Sequence, residues 1–273
     1  LLKKTILSLK NNKIDFLYYL GLSLIIFVIV FFYRISEHGT DRSAQILILL
    51  IIYEIFNLIM KKKISQYDIA VLSILFAITI SMKLFYLLYV LFLIPIIYKF
   101  VSIEGMYFFN KIFKNKIFYL SLALFLFVLF TNFVNTGCLI YPIKQSCFTD
   151  FSWSLDLREV ERMSLHYENW SKAGASPNYY VKNPALYVAN FNWLNKDYIS
   201  KHSHTFKKKI DFFILYLFIV SLCLYFFKDN KKDFYSSLID ERYKILTILS
   251  SIGLILMVYK FPLGRYGTSY LAI

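Results

Sequence analysis

Between two apolar runs the chain reads Arg34-Ile-Ser-Glu37-His38-Gly39-Thr40-Asp41-Arg42, two carboxylates, a histidine and two arginines within nine residues. A carboxylate at a membrane edge can take the proton of an attacking hydroxyl, and an arginine beside it can hold a phosphate. The same density also suits an ordinary charged turn between membrane helices. Lys83 stands alone between two apolar stretches, as a phosphate ligand or as a snorkelling helix end. In Lys260-Phe-Pro262-Leu-Gly264-Arg265-Tyr266-Gly267, two glycines frame an Arg–Tyr pair, a pattern for a tight backbone at a site or for an isolated loop arginine. Glu54 lies inside the run Ile51-Ile-Tyr53-Glu54-Ile-Phe56, and an ionisable residue at membrane depth is a functional candidate by default. Its distance of about two helical turns from Lys61 makes structural pairing an equal alternative.

Other chemistry-bearing residues carry weaker signals. Cys138 and Cys147 flank a segment containing Pro142, and in an oxidising compartment a bridge closing that hairpin is as plausible as two thiols. Cys223 falls in an apolar run and reads as a packing residue. His202 and His204, beside Lys207–Lys209, have metal-binding side chains but no third ligand nearby, so a basic interfacial run is the simpler account. Trp153, Trp170 and Trp193 suit an interfacial aromatic belt, although aromatic faces also stack on sugars. Asn169-Trp-Ser171 matches a glycosylation acceptor pattern. No Walker loop, dinucleotide fingerprint, HExxH or CxxC is present.

The elements that must position these residues follow from composition. Of 273 residues 58% are hydrophobic, 20% aromatic and only 18% charged, with a mean hydropathy of +0.55. A soluble domain has about 45–50% apolar and about 25% charged residues, so a soluble enzyme, a disordered tail and a disulfide-dense secreted module are excluded. The net charge of +14 resides in short clusters between apolar blocks, as membrane-flanking charges do, and does not point to nucleic acid. The chain begins with Leu1 rather than Met, and Tyr270–Ile273 reads as the start of a further apolar stretch, as expected of an internal piece of a longer protein.

The expected fold is an all-α integral membrane protein. Candidate spans are Phe16–Tyr33, Gln45–Met60, Asp68–Met82, Leu84–Tyr98, Ile117–Val134, Ile210–Phe227 and Ile245–Tyr259. The stretch Ile69–Tyr98, interrupted only by Lys83, would run about 45 Å as one straight helix, too long for a core about 30 Å thick. Two short helices meeting at Lys83 fit better. With seven spans and the N-terminus inside, the clusters Lys3–Lys13, Lys61–Lys63, Lys99–Lys116 and Lys228–Lys244 all fall on the cytoplasmic side, which the positive-inside rule favours. Residues 1–134 then hold five membrane helices, 135–209 form an extracytoplasmic unit, and 210–273 hold two more helices and the start of another segment. The outer unit carries all three tryptophans, and Ser154–Lys172 has helical apolar spacing. Tyr187–Trp193 is expected to be a second short helix.

Several motifs taken in order carry a resemblance. Gly39-Thr-Asp41-Arg42-Ser-Ala-Gln45 opens a span, and Ser81-Met-Lys83-Leu joins two helices. Thr136-Gly137-Cys-Leu-Ile-Tyr141-Pro142 starts the Trp-containing loop, and Pro262-Leu-Gly-Arg265-Tyr266-Gly267 follows a later span. This order resembles poorly characterised bacterial multi-pass proteins similar to the GT-C glycosyltransferases. The resemblance implies a GT-C-like fold in the inner (plasma) membrane, with 135–209 in the periplasm. It implies transfer of a sugar from a polyprenyl-phosphate donor to a glycan, lipid or protein acceptor, in cell-envelope glycan assembly. Asp41 or Glu37 would be the catalytic carboxylate, with Arg42, Lys83, Tyr141, Arg265 and Tyr266 on the substrate side. No cofactor is demanded, and a divalent metal is compatible with such chemistry. Superfamily members usually carry their best-defined acidic motif on the first outer loop of the whole protein, so Asp41 can equally belong to a second motif. Two other classes remain: a polysaccharide polymerase or O-antigen ligase, in which Arg158, Arg162 or His166 would matter more than Asp41, and a non-catalytic multi-pass protein such as a transporter.

Overall fold

The computed structural model describes residues 16–32, 41–173, 180–194, 199–226, 241–260 and 268–272. Regular structure among these is helical, and the one isolated antiparallel bridge pairs Cys138 with Cys147. Four helical segments are long and apolar enough to cross a membrane: Asp41–Met60, Leu84–Glu104, Lys116–Thr136 and Tyr243–Lys260. Three apolar helices are shorter: Phe16–Phe31, Gln66–Met82 and Ile210–Cys223. The chain divides into two compact units. The first comprises Leu1–Ser121, Ile210–Ile255 and Arg265–Ile273, and the second Leu122–Lys209 and Leu256–Gly264.

In the first unit, α1 (Phe16–Phe31), α2 (Asp41–Met60) and α3 (Gln66–Met82) pack in sequence around α2. Ile48, Leu49, Ile51, Ile52 and Ile55 of α2 are all fully buried, so this helix is the centre of the unit. It begins four residues before the expected Gln45. Asp41 and Arg42 therefore occupy its first turn rather than a loop, where a carboxylate is favoured by the unpaired N–H groups and the positive end of the helix dipole. At the other end, the carbonyls of Leu58, Ile59 and Lys61 accept hydrogen bonds from the buried ammonium of Lys99, at 3.3 Å and 2.5 Å for the first two. A cation is the natural cap for a helix C-terminus. The next helix starts with a capping box: the Ser65 hydroxyl accepts from Asp68 N–H at 3.2 Å, and the Asp68 carboxylate accepts from Ser65 N–H at 3.0 Å. Lys61 Nζ adds an ion pair to Asp68 at 2.6 Å.

The break expected at Lys83 is present, but the following element is not the single helix Leu84–Tyr98. Leu84–Leu93 is a 3₁₀ helix, followed by α4 (Ile94–Glu104). Pro95 explains the junction. It has no N–H to offer the Leu91 carbonyl, which accepts instead from Ile94 N–H. The 3₁₀ rise of about 2.0 Å per residue also stretches the element to roughly 36 Å, enough for the core. Helix α5 (Tyr107–Phe113) follows, with Lys111 Nζ bound to both Glu104 oxygens at 2.8 Å. Helix α6 (Lys116–Thr136) then buries only Ser121.

The second unit begins within α6, at Leu122, and that helix is followed by a disulfide between Cys138 and Cys147, closing a turn that contains the cis bond Tyr141–Pro142. Helix α7 (Leu157–Lys172) starts at Asp156, whose carboxylate accepts from Arg158 N–H at 2.8 Å. Helix α8 (Pro184–Val188) and a 3₁₀ turn at Ala189–Phe191 stand where one short helix over Tyr187–Trp193 was expected. Helix α9 (Ile199–Phe226), which belongs to the first unit from Ile210 onward, contains His202 and His204, whose side chains lie outside the described set. Helix α10 (Glu241–Lys260) supplies Ser250 and Gly253 to the first unit, and Tyr259 and Lys260 to the second. A 3₁₀ turn at Thr268–Ala272 belongs to the first unit.

Candidate functional site

Two polar constellations stand out, one in each unit. In the first, antiparallel packing of α2 and α3 brings the start of one beside the end of the other. Asp41 and Lys83, 42 residues apart, meet there, with Lys83 Nζ 2.5 Å from Asp41 Oδ1. Each charge sits at the helix end whose dipole favours it. The pair is partly exposed, with the Asp41 side chain 17% and that of Lys83 36% exposed. The Tyr86 hydroxyl donates to the Asp41 carbonyl at 3.1 Å and fastens the first turn of α2 to the 3₁₀ helix.

Behind Asp41 the same unit is closed by the last 3₁₀ turn. Ser269 Oγ lies 3.3 Å from both the main-chain and side-chain oxygens of the buried Gln45. Tyr270 stacks on Tyr89 with ring centroids 4.3 Å apart, and its carbonyl accepts from the Ser250 hydroxyl at 2.6 Å. Gly253 makes room for it, since a Cβ there would stand 2.4 Å from Tyr270 Cε1. Tyr270, read from the sequence as the start of another apolar stretch, is thus a packed part of this unit.

Of the residues singled out by sequence, Asp41 and Lys83 are brought together, and Arg42 follows in the same turn. Glu37, Arg265 and Tyr266 lie outside the described residues. Tyr141 belongs to the second unit, inside the disulfide-closed turn. Burial, and then neighbouring Tyr167 and Glu159, push its phenol above the usual value. Glu54 accepts from the Asn57 side chain at 3.0 Å, whereas Lys61, the residue whose distance suggested a structural pairing, binds Asp68. Arg162 is exposed and pairs with Glu159 at 2.6 Å. Asn169 is buried within α7 with its amide bound to the Leu165 carbonyl, so the glycosylation pattern is not accessible in the folded chain. Among the described residues no three His, Cys, Asp or Glu side chains gather as a metal site.

The second constellation was missed. Lys172, 1% exposed, binds Glu168 Oε1 at 2.6 Å, one helical turn away on α7. Lys260 Nζ reaches Glu168 Oε2 at 3.1 Å. The Lys172 ammonium also lies over the rings of Trp193 and Tyr259, with centroids at 5.2 Å and 5.5 Å. A cleft of about 430 Å³ opens beside these groups, walled by Leu165, Val188, Phe191 and Tyr259. The i,i+4 spacing of Glu168 and Lys172 was visible in the sequence, but it also marks any solvated helix face.

A family model described as a domain of unknown function, DUF8201, matches residues 2–272. The chain belongs to the DUF8201 family. No curated protein and no solved structure matches it. The matched region includes the segments that carry Asp41, Lys83 and Glu168.

Proposed function

We propose that this chain is an integral membrane sugar transferase of the GT-C type, acting at the outer face of the bacterial inner membrane on a polyprenyl-phosphate-linked donor. All seven apolar helices cross the bilayer in this reading. The three shorter ones do so with local thinning and polar flanks, and the N-terminal side of α1 is cytoplasmic. The observation that carries the proposal is the Asp41–Lys83 pair. It sets a carboxylate and an ammonium side by side, at the mouth of two adjoining apolar helices, on the side assigned to the periplasm.

The chemistry follows from what each group can do. The acceptor hydroxyl loses its proton as the new glycosidic bond forms, and Asp41 takes it. Lys83 holds Asp41 in place and brings a positive charge beside it for the lipid-linked phosphate that leaves. Arg42, in the same turn, adds a second cation for that phosphate. A placed general base contributes roughly 10²- to 10⁴-fold in rate.

Asp41→Asn in the producing cell tests this directly. The variant is expected to insert normally and to lose glycan product by about 10²-fold or more. Full product from Asp41→Asn, together with its loss in Arg158→Ala or Arg162→Ala, would transfer the assignment to a polymerase or ligase working through the outer unit. Product in all of these variants would point to a non-catalytic membrane protein.

A further inference from the structure

The cleft of the second unit has a chemistry of its own, which depends neither on Asp41 nor on the transfer reaction. We infer that it is a binding site for a neutral saccharide. Glu168 and Lys260 stand 3.1 Å apart on its wall, one a pure acceptor and the other a pure donor. Glu168 is held by the buried Lys172, and its other oxygen, with Lys260, sets an acceptor directly beside a donor. A ligand that satisfies both neighbours without net charge must donate to one and accept from the other at adjacent positions. Vicinal hydroxyls of a sugar ring do this.

The rest of the cleft suits the apolar side of such a ring. Phe191 and Tyr259 are half exposed, their centroids 5.7 Å apart and their planes at 64°. They offer aromatic surface for C–H faces, over a floor of small side chains, Ala185 and Ala189. The volume of about 430 Å³ falls within the range of small-molecule sites. Lys172 cannot be exchanged for solvent. Buried between Glu168 and two rings, it holds the carboxylate in its place on the wall. The lip of the cleft is also the one described segment where residues other than glycine adopt positive φ: Asn190 at 51° and Phe191 at 58°. Such backbone is disfavoured for a bulky aromatic and persists where the surroundings impose it, most often at ligand sites.

The test is isothermal titration of the whole chain in lipid nanodiscs prepared without glycoside detergents. Methyl β-glucopyranoside and the methyl glycoside of N-acetylglucosamine serve as neutral probes, glucuronate as the anion and glucosamine as the cation. Saturable millimolar binding of a neutral probe is expected, weakened about tenfold or more in Lys260→Met, because a hydrogen bond from a charged group is lost. Phe191→Gly is expected to weaken binding while keeping the fold, since glycine accepts the positive φ. The inference is overturned if neither neutral probe saturates at tens of millimolar. Tighter binding of glucuronate or glucosamine, or unchanged affinity in both variants, would overturn it equally.

Discussion

The buried ammonium of Lys172 shows how unequal two ion pairs to one carboxylate can be. Lys172 is enclosed, and removing Glu168 leaves it without an anion, whereas Lys260 is 54% exposed and can turn to solvent. Glu168→Ala is therefore expected to destabilise the folded chain by about 3–5 kcal/mol. Lys260→Ala should cost less than about 1 kcal/mol. Thermal unfolding of the purified protein in lipid separates the two, and equal losses would contradict the burial argument. Tyr141 gives a pH-dependent counterpart. Its phenol is raised above 10.0 in the folded chain, so the folded state holds its proton longer than the unfolded one. The contribution is complete below pH 10 and is lost as pH rises through the folded value. In denaturant titrations between neutral and strongly alkaline pH, Tyr141→Phe is expected to lose less stability than the parent. Asp41 was legible at this scale because several charges in few residues are conspicuous next to apolar runs. Glu168 was not, because an acidic residue on an amphipathic helix looks the same whether it faces water or a buried lysine.

At the scale of elements, the 3₁₀ helix is the instructive case. Its buried residues are Tyr86, Tyr89 and Phe92, a strict spacing of three, which is the period of a 3₁₀ helix and drifts off one face of an α-helix. That spacing, with Pro95 after it, was present in the sequence but masked by a run apolar on every side. The aromatic row it presents receives Tyr270, and Gly253 on α10 is what lets the ring in. Gly253→Ala places a methyl group within van der Waals radii of that ring. It is expected to cost about 1–3 kcal/mol through overpacking, read as a lower unfolding temperature. Tyr270→Ala in the same background should relieve the clash, so the two losses should not add. Simple additivity would show that Gly253 does not act through Tyr270. Lys99 makes a related point. As a sequence feature it was one more cytoplasmic charge, yet its ammonium closes the C-terminal carbonyls of α2.

For the whole molecule, the arrangement of charge clusters and apolar helices predicts a definite topology. Reporter fusions after Lys63 and after Trp170 are expected to report opposite sides of the membrane, and the same side for both would end the seven-span arrangement. Thiol chemistry gives a second check. The Cys138–Cys147 bridge leaves Cys223 as the free thiol. Denatured, unreduced protein should therefore take up one label per chain, and reduced protein three. Three labels before reduction would show that the bridge does not form.

The sequence by itself determined that the chain is helical and membrane-associated, where α3 stops, and that Arg34–Arg42 is dense in charge between two apolar runs. These are local properties: hydropathy over a span's length, a charge that interrupts it, and the residues flanking it. Tertiary structure alone decided which helices are central. The apolar segments Asp41–Met60 and Lys116–Thr136 are of similar length, yet 61% of the first and 6% of the second is buried. The physical reason is that lipid is as apolar as a leucine face, so hydropathy cannot tell a helix that packs on protein from one that faces the bilayer. The same holds for the polar groups. Asp41 finds Lys83, and Glu168 finds Lys260 across 92 residues, because helix packing brings their ends together, and no local spacing records that.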